Sequence, residues 1–232
     1  VLRAVITDID GTITDDERRL NTRAVGVIRD LVENRVQVVL ASGNTACFMD
    51  ALCRMIGTDG SFIGENGGVY RAGFGHDLKV LGDNGVVKGA LDRLKNHFGE
   101  KGIGLEVYSP MYRFADQAFA RTVPVEEVRE VVADMPVMVV DTGFAIHIHP
   151  PGITKQVAFE RISDDLGIAR GLFLAIGDSL NDLEMLQAAG MSATVANGHP
   201  RVRRVAGYVS EKKYGDGFID VVDHFKHYFF AR

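Results

Sequence analysis

Val1–Thr12 reads VLRAVITDIDGT, a run of β-branched and other apolar residues that ends in two aspartates, a glycine and a threonine. The residues before Thr7 are nearly all apolar rather than alternating, as in an inner strand of a parallel sheet that helices cover on both faces. Asp8 and Asp10 follow at the C-terminal end of that strand. Two carboxylates there cost several kcal/mol in desolvation or mutual repulsion unless something positive meets them. A metal ion is the expected partner.

Three further apolar segments end in polar or glycine-containing turns: VQVVLASGN, GLFLAIGDS and SATVANG. Helical patterns separate them. NTRAVGVIRDLVENR carries apolar residues at Val25, Ile28, Leu31 and Val32 behind Asn21, a good N-cap. DLEMLQAAG predicts another helix, with Gly190 in the position of a left-handed C-terminal residue. Strands alternating with helices predict an α/β protein with a Rossmann-like parallel sheet and right-handed crossovers. Ligands of such sheets bind beyond the C-terminal strand ends, where all four polar endings fall.

The middle of the chain breaks this rhythm. It reads as a helix (VVKGALDRLKNHFGE), strand-like stretches (GLEVYS and RFADQAFA), a helix after Pro124 (PVEEVREVVADM) and a hairpin (VMVVDTGFAIHIHP) turned at DTG. Strand pairs segregated from helices predict an α+β unit over residues 84–152. It is inserted into a core formed by 1–83 and 153–232, because the α/β pattern resumes at KQVAFERISDDLGI.

The 232 residues suffice for such a core with an insertion. With 46% apolar and 25% charged residues and a net charge of −5, neither disorder nor a basic nucleic-acid surface is expected. No run of about 18 apolar residues occurs, so no membrane association is expected. The first residues lack the pattern of a secretory signal, and a cytoplasmic protein is the expectation. Cys47 and Cys53 lie six apart, a spacing that fits neither a metal knuckle nor a redox pair, so both are read as reduced thiols.

A second acidic cluster, GDSLND (Gly177–Asp182), again directly follows an apolar strand. Asp178 and Asp182 can therefore face the same cavity as Asp8 and Asp10. Converging carboxylates make a hard, oxygen-rich site suited to Mg²⁺. Phosphate needs donors and cations. ASGN offers the Ser42 hydroxyl and the backbone N–H groups of Gly43 and Asn44, where a helix is expected to begin. Lys155 opens the helix after the insertion and supplies a compact positive charge.

DIDGT, a serine after the second strand, a lysine well downstream and GDSLND after a later strand resemble, in this order, the haloacid dehalogenase superfamily of phosphatases and phosphotransferases. GENGG (Gly64–Gly68) resembles a loop of its cap-bearing Cof-like subgroup. The resemblance covers essentially the whole chain, with the cap matching only in layout. It implies that Asp8 is the nucleophile, forming an aspartyl phosphate, and that Asp10 is the general acid and base. It implies Mg²⁺ held by Asp8, the Asp10 carbonyl and Asp178, with Asp182 in the same shell or acting through water. Ser42, with Gly43 and Asn44, and Lys155 would hold phosphoryl oxygens, and Asn181 would orient a neighbour or a phosphate oxygen. Gly11 lets the chain turn away after Asp10. A receiver domain also uses an aspartate and Mg²⁺ at strand ends, but leaves Asp10 without a role.

SGN, ENGG, MYR in the insertion and the small size narrow the resemblance to the archaeal-type phosphoglycolate phosphatases. The implied substrate is a small phosphate ester with a carboxylate, which Arg113 can grip with two parallel hydrogen bonds. Sugar-phosphate phosphatase or phosphotransferase activity is the alternative within the superfamily, and a non-catalytic metal- or phosphoester-binding protein the alternative outside it. A monomer or homodimer is expected. Elsewhere, His147 and His149 share a strand face and are read as a sheet-face pair or pocket lining before a metal pair. TDDERR reads as a solvated loop and PRVRRVAGYV as a basic surface helix. Glu65 and Asn66 read as either the site's mouth or a structural turn, and HFKHYFF as a docking helix.

Overall fold

The structure is a computed structural model that describes residues 1–230. In chain order the first strands and helices are β1 (Ala4–Asp8), α1 (Thr22–Glu33), β2 (Gln37–Ala41), α2 (Ala46–Ile56), β3 (Ser61–Gly64), β4 (Val69–Ala72) and β5 (Lys79–Val80). Then come α3 (Asn84–Glu100), β6 (Gln117–Ala120), α4 (Val125–Val131), β7 (Met138–Asp141) and β8 (Ala145–His149). The chain continues with α5 (Lys155–Leu166), β9 (Phe173–Ile176), α6 (Leu183–Ala188), β10 (Met191–Thr194), α7 (Pro200–Val205), β11 (Tyr208–Val209) and α8 (Tyr214–Phe229).

The Rossmann-like sheet expected from the sequence is present, with strand order β11-β10-β9-β1-β2-β3-β4-β5. Its strands run parallel from β11 to β3, and β4 and β5 extend it antiparallel. Side-chain alternation explains the unbroken apolar run in β1. Val5 packs with Ile28, Leu31 and Phe218 of α1 and α8, whereas Ala4 and Ile6 pack with Phe159, Ile162 and Met185 of α5 and α6. From β1 the chain winds outward through β2 and β3 on one side, and from β9 through β10 and β11 on the other. The crevice between the ends of β1 and β9 is thus a topological switch point, where open α/β sheets bind ligands.

The second sheet, β6-β8-β7, is antiparallel and packs its own apolar cluster, including Phe98, Phe119, Val128, Ile146 and Ile148, against α3 and α4. The sequence reading differs from the structure at several points. GLEVYS forms no strand: it lies beside β6 through the single bridge Val107–Phe119 and two flanking backbone bonds, Tyr108 N to Ala118 O and Ala120 N to Glu106 O. Only Gln117–Ala120 of RFADQAFA forms a strand. β3, β4 and β5 leave no clear pattern in the sequence, being short and divided by glycines. Gly190 is not left-handed; a Cβ there would lie 2.0 Å from the carbonyl oxygen of Gly171, so the glycine permits a close backbone approach instead.

Asn21 does cap α1, accepting from the N–H groups of Arg23 and Ala24. The aromatic C-terminal helix docks, burying Phe218, Phe225 and Phe229. Cys47 and Cys53 both lie on α2 as free thiols. Among the described residues, no helix is long and apolar enough to cross a membrane.

Candidate active site

Asp8 is the last residue of β1, and the chain leaves it through Gly11, whose φ of +88° few other residues adopt. A Cβ on Gly11 would also lie 2.5 Å from Asp178 Oδ2. The end of β1 and the loop after β9 can meet only because position 11 has no side chain. A similar constraint sets Gly177, where a Cβ would come within 2.6 Å of the Asp182 side chain. Asp182 folds back over its own turn, its Oδ2 accepting from the N–H groups of Asp178 (3.1 Å) and Ser179 (2.9 Å). The sequence pattern places these aspartates at neighbouring strand ends; the two glycines let the turns that carry them close on one another.

Lys155, the first residue of α5, lies fully buried between them. Its Nζ donates to Asp8 Oδ1 at 2.5 Å and to Asp182 Oδ1 at 2.6 Å. Oxygens of Asp8, Asp178 and Asp182 approach within 4.8 Å of one another, the one such metal-compatible group among the described residues. Three carboxylates thus face one ammonium. Burial raises Asp8 well above the usual carboxylate range, with Asp182 and Asp178 adding to it against the opposing pull of Lys155. Burial, then Asp182, pushes Asp178 up to about 7. Burial works against the Lys155 ammonium, but Asp182 and Asp8 outweigh it and hold its pKa above the ordinary value.

This excess of negative charge on hard oxygen donors fits Mg²⁺. Asp8 Oδ2 has no hydrogen-bond partner among the described residues, and Asp178 Oδ1 accepts only a 3.2 Å bond from Thr12 Oγ1. Both oxygens of Asp182 are already taken by Lys155 and backbone amides, so its geometry suits positioning better than direct ligation. The Asp10 carboxylate stands outside the cluster and accepts from Asn44 Nδ2 at 3.1 Å.

The end of β2 departs from the expected helix N-terminus. Thr45, with extended backbone, is the N-cap and α2 starts at Ala46, so Gly43 and Asn44 precede the helix. The Asn44 N–H is engaged with Ser42 Oγ at 3.1 Å, as is its Nδ2 at 2.9 Å. A cavity of about 520 Å³ brings together Asp8, Asp10, Ser42, Gly43, Asn44, Arg113 and Asn181. Lys155, Asp178 and Asp182 do not line it: Lys155 bonds Asp8, which does, and itself lines a second cavity of about 350 Å³ that shares Asn66 and Asn181 with the first.

Arg113 is 7% exposed. Its Nε donates to the Tyr108 carbonyl (2.9 Å), and its Nη1 to Asp116 Oδ1 (2.5 Å) and the Gly43 carbonyl (3.3 Å). Asn181 Nδ2 donates to Asn66 Oδ1 at 2.9 Å, which leaves Asn66 Nδ2 and Asn181 Oδ1 buried with no protein partner. Buried amide atoms of this kind mark where water or a polar ligand belongs.

Several residues at the site were not assigned from sequence. Glu65 and Asn66 both take positive φ, 51° and 54°. The Glu65 carboxylate accepts from three backbone N–H groups, those of Phe114, Ala115 and Asp116, tying the Arg113 turn to the main sheet. Burial, and then Asp116, pushes its pKa up to about 7. Glycines on both sides were the available signal for this pair. Arg18, in the loop read as merely solvated, lies at the cavity rim with its guanidinium 5.2 Å from the Phe144 ring. The two strand histidines have different partners. His147 bonds Asp116 Oδ2 through Nδ1 at 2.8 Å, whereas His149 Nδ1 contacts the Pro150 carbonyl at 2.9 Å.

Comparison with known proteins agrees with this geometry. The sequence model of the haloacid dehalogenase-like hydrolases matches residues 5–123 and 124–222. The chain is 50% identical to the phosphoglycolate phosphatase of Methanoculleus marisnigri and 49% identical to that of Methanospirillum hungatei, over the whole of each chain. A crystal structure of a Thermoplasma acidophilum protein superposes with a TM-score of 0.87 at 26% identity, covering 97% of this chain and 99% of that one. A haloacid dehalogenase-like hydrolase from Bacteroides thetaiotaomicron shares the fold, with a TM-score of 0.80 at 17% identity, covering 97% of this chain and all of that one.

Proposed function

The chain belongs to the haloacid dehalogenase-like hydrolase family, and on that premise we propose that it is a Mg²⁺-dependent phosphomonoesterase cleaving 2-phosphoglycolate to glycolate and phosphate. Phosphatase activity follows from full-length relatives that carry that name. The observation that carries the reading is that Asp8, held from behind by Lys155, shares one cavity with Asp10, Ser42 and Arg113. A nucleophile, an acid–base group, phosphate donors and a carboxylate-binding cation are the parts this reaction needs.

In this reading an Asp8 oxygen attacks phosphorus in line with the ester oxygen; the P–O ester bond breaks and an aspartyl phosphate forms. Asp10 gives its proton to the departing alkoxide, then takes one from the water that attacks the same phosphorus. Asp8 and phosphate are thereby released. Ser42 and Lys155 hold phosphoryl oxygens, and the orphaned amide atoms of Asn66 and Asn181 supply a further donor and acceptor. Asp8, the Asp10 carbonyl and Asp178 would hold Mg²⁺, while Asp182 fixes Lys155 and the loop. Bound there, the ion would offset repulsion between the anionic nucleophile and the anionic ester. Residues 84–152 form the cap, which shields the site and selects the substrate.

A second reading has one observation in its favour. A cavity of about 520 Å³ exceeds what a two-carbon ester fills, as a sugar phosphate would require. Ranking kcat/KM over a panel of phosphate esters decides between them. 2-Phosphoglycolate is expected to stand first, and a sugar phosphate above it would replace the substrate while leaving the chemistry.

A further inference from the structure

Asp116 is completely buried, yet nothing in the chemistry above uses it. It is shared between two side chains of the same cavity: Oδ1 accepts from Arg113 Nη1 and Oδ2 meets His147 Nδ1. Burial opposes its charge, but the His147 hydrogen bond and the Arg113 guanidinium prevail and hold its pKa below the ordinary value. An ionised Asp116 only accepts, so the proton on the imidazole sits at Nδ1. Nε2 is then the nitrogen left over, and it has no protein partner among the described residues.

The ring is also fixed in place over the phosphate loop. A Cβ on Gly43 would lie 3.0 Å from His147 Cε1, so the glycine makes room for the imidazole where β8 closes on the end of β2. Glu65 holds the turn carrying Arg113 and Asp116 from the other side. Arg113 has Nε and Nη1 occupied and Nη2 without a protein partner among the described residues. One guanidinium nitrogen and one imidazole nitrogen thus remain, both oriented by the same buried carboxylate.

We propose that His147, oriented by Asp116, is a specificity-determining residue that joins Arg113 in binding the substrate's carboxylate. The inference rests on the reading that the substrate is a small phosphorylated acid. Because Asp116 neutralises Arg113, the guanidinium alone offers an anion little net charge. With Nδ1–H on Asp116, it is the imidazolium form that binds a carboxylate, through an Nε2–H donor and a positive charge that the Asp116–Arg113 pair lacks. Asp116 touches no substrate and is a positioning residue.

The test measures kcat/KM for 2-phosphoglycolate and for 2-hydroxyethyl phosphate, in which an alcohol replaces the acid, with wild type, His147→Gln and Asp116→Asn. In the wild type the acid is preferred. In His147→Gln the preference ratio falls by about 10–100-fold, mainly through KM, as expected for a lost charge-assisted hydrogen bond. Asp116→Asn lowers the ratio in the same direction, and circular dichroism reports whether each variant folds. Equal losses on both esters, or an unchanged ratio in folded His147→Gln, overturn the assignment. A wild type with no preference for the acid overturns the substrate reading, and the His147 role with it.

Discussion

Asp8→Asn is expected to lose at least about 10⁴-fold in kcat on every phosphate ester, because a carboxamide of the same shape cannot form the acyl phosphate. The loss should come without unfolding. Asp8 is one of three carboxylates around a single ammonium, and burial already holds it well above the usual range. Removing its charge relieves repulsion with Asp178 and Asp182, while Lys155 keeps its 2.6 Å bond to Asp182. The melting temperature is therefore expected to hold or rise as activity disappears. Phosphate release and thermal melting on the same preparation check both halves. Turnover above about 1% of wild type would rule out Asp8 as the nucleophile.

Lys155→Met is expected to remove activity and stability together. The ammonium is the one protein cation between Asp8 and Asp182 among the described residues, and its loss leaves buried carboxylates uncompensated. Breaking a buried pair from one side costs about 3–5 kcal/mol. For a chain of this size that is a fall of about 6–20 °C in melting temperature. The sign of its pH dependence follows from the carboxylates. Lys155 pulls down the raised pKa values of Asp8 and Asp178, so without it they rise further; at acid pH both are neutral in the folded state and the variant loses least. As pH rises through those values the charges appear and the deficit grows. Melting curves across pH measure this; a variant as stable as wild type at neutral pH would contradict the ion-pair account.

The legible part of the molecule is that governed by local pattern. β1 and β9 bury both faces, so their apolar runs are continuous and the aspartates that interrupt them stand out. A parallel sheet then fixes where those aspartates go, which is why Asp8 and Asp178 could be brought together from opposite ends of the chain. Ser42 follows from the same geometry, and Lys155 from its place at the start of the helix after the insertion. Residues that pair over long sequence separations outside the main sheet are harder to read. Asp116 meets His147 from 31 positions away, and Glu65 meets Ala115 from 50. The first pairing depends on β6 lying beside β8 and the second on how the turn before β6 sits against the turn after β3, and no period in the sequence encodes either. Arg18 escaped for a related reason: a charged loop looks solvated until the turn it faces, carrying Phe144, is in place.

The most direct measurement combines Asp10→Asn with an aryl phosphate, whose leaving group departs without a proton. Attack by Asp8 should then proceed while hydrolysis of the acyl phosphate, which needs Asp10 as base, lags. A rapid-mixing experiment is expected to give a burst of about one equivalent of aryl alcohol, followed by slow phosphate release, with the phosphoryl group recovered on Asp8 after acid quench. Aryl alcohol and phosphate released in step, with Asp8 unmodified, would mean that water attacks the ester directly and would contradict the aspartyl-phosphate account.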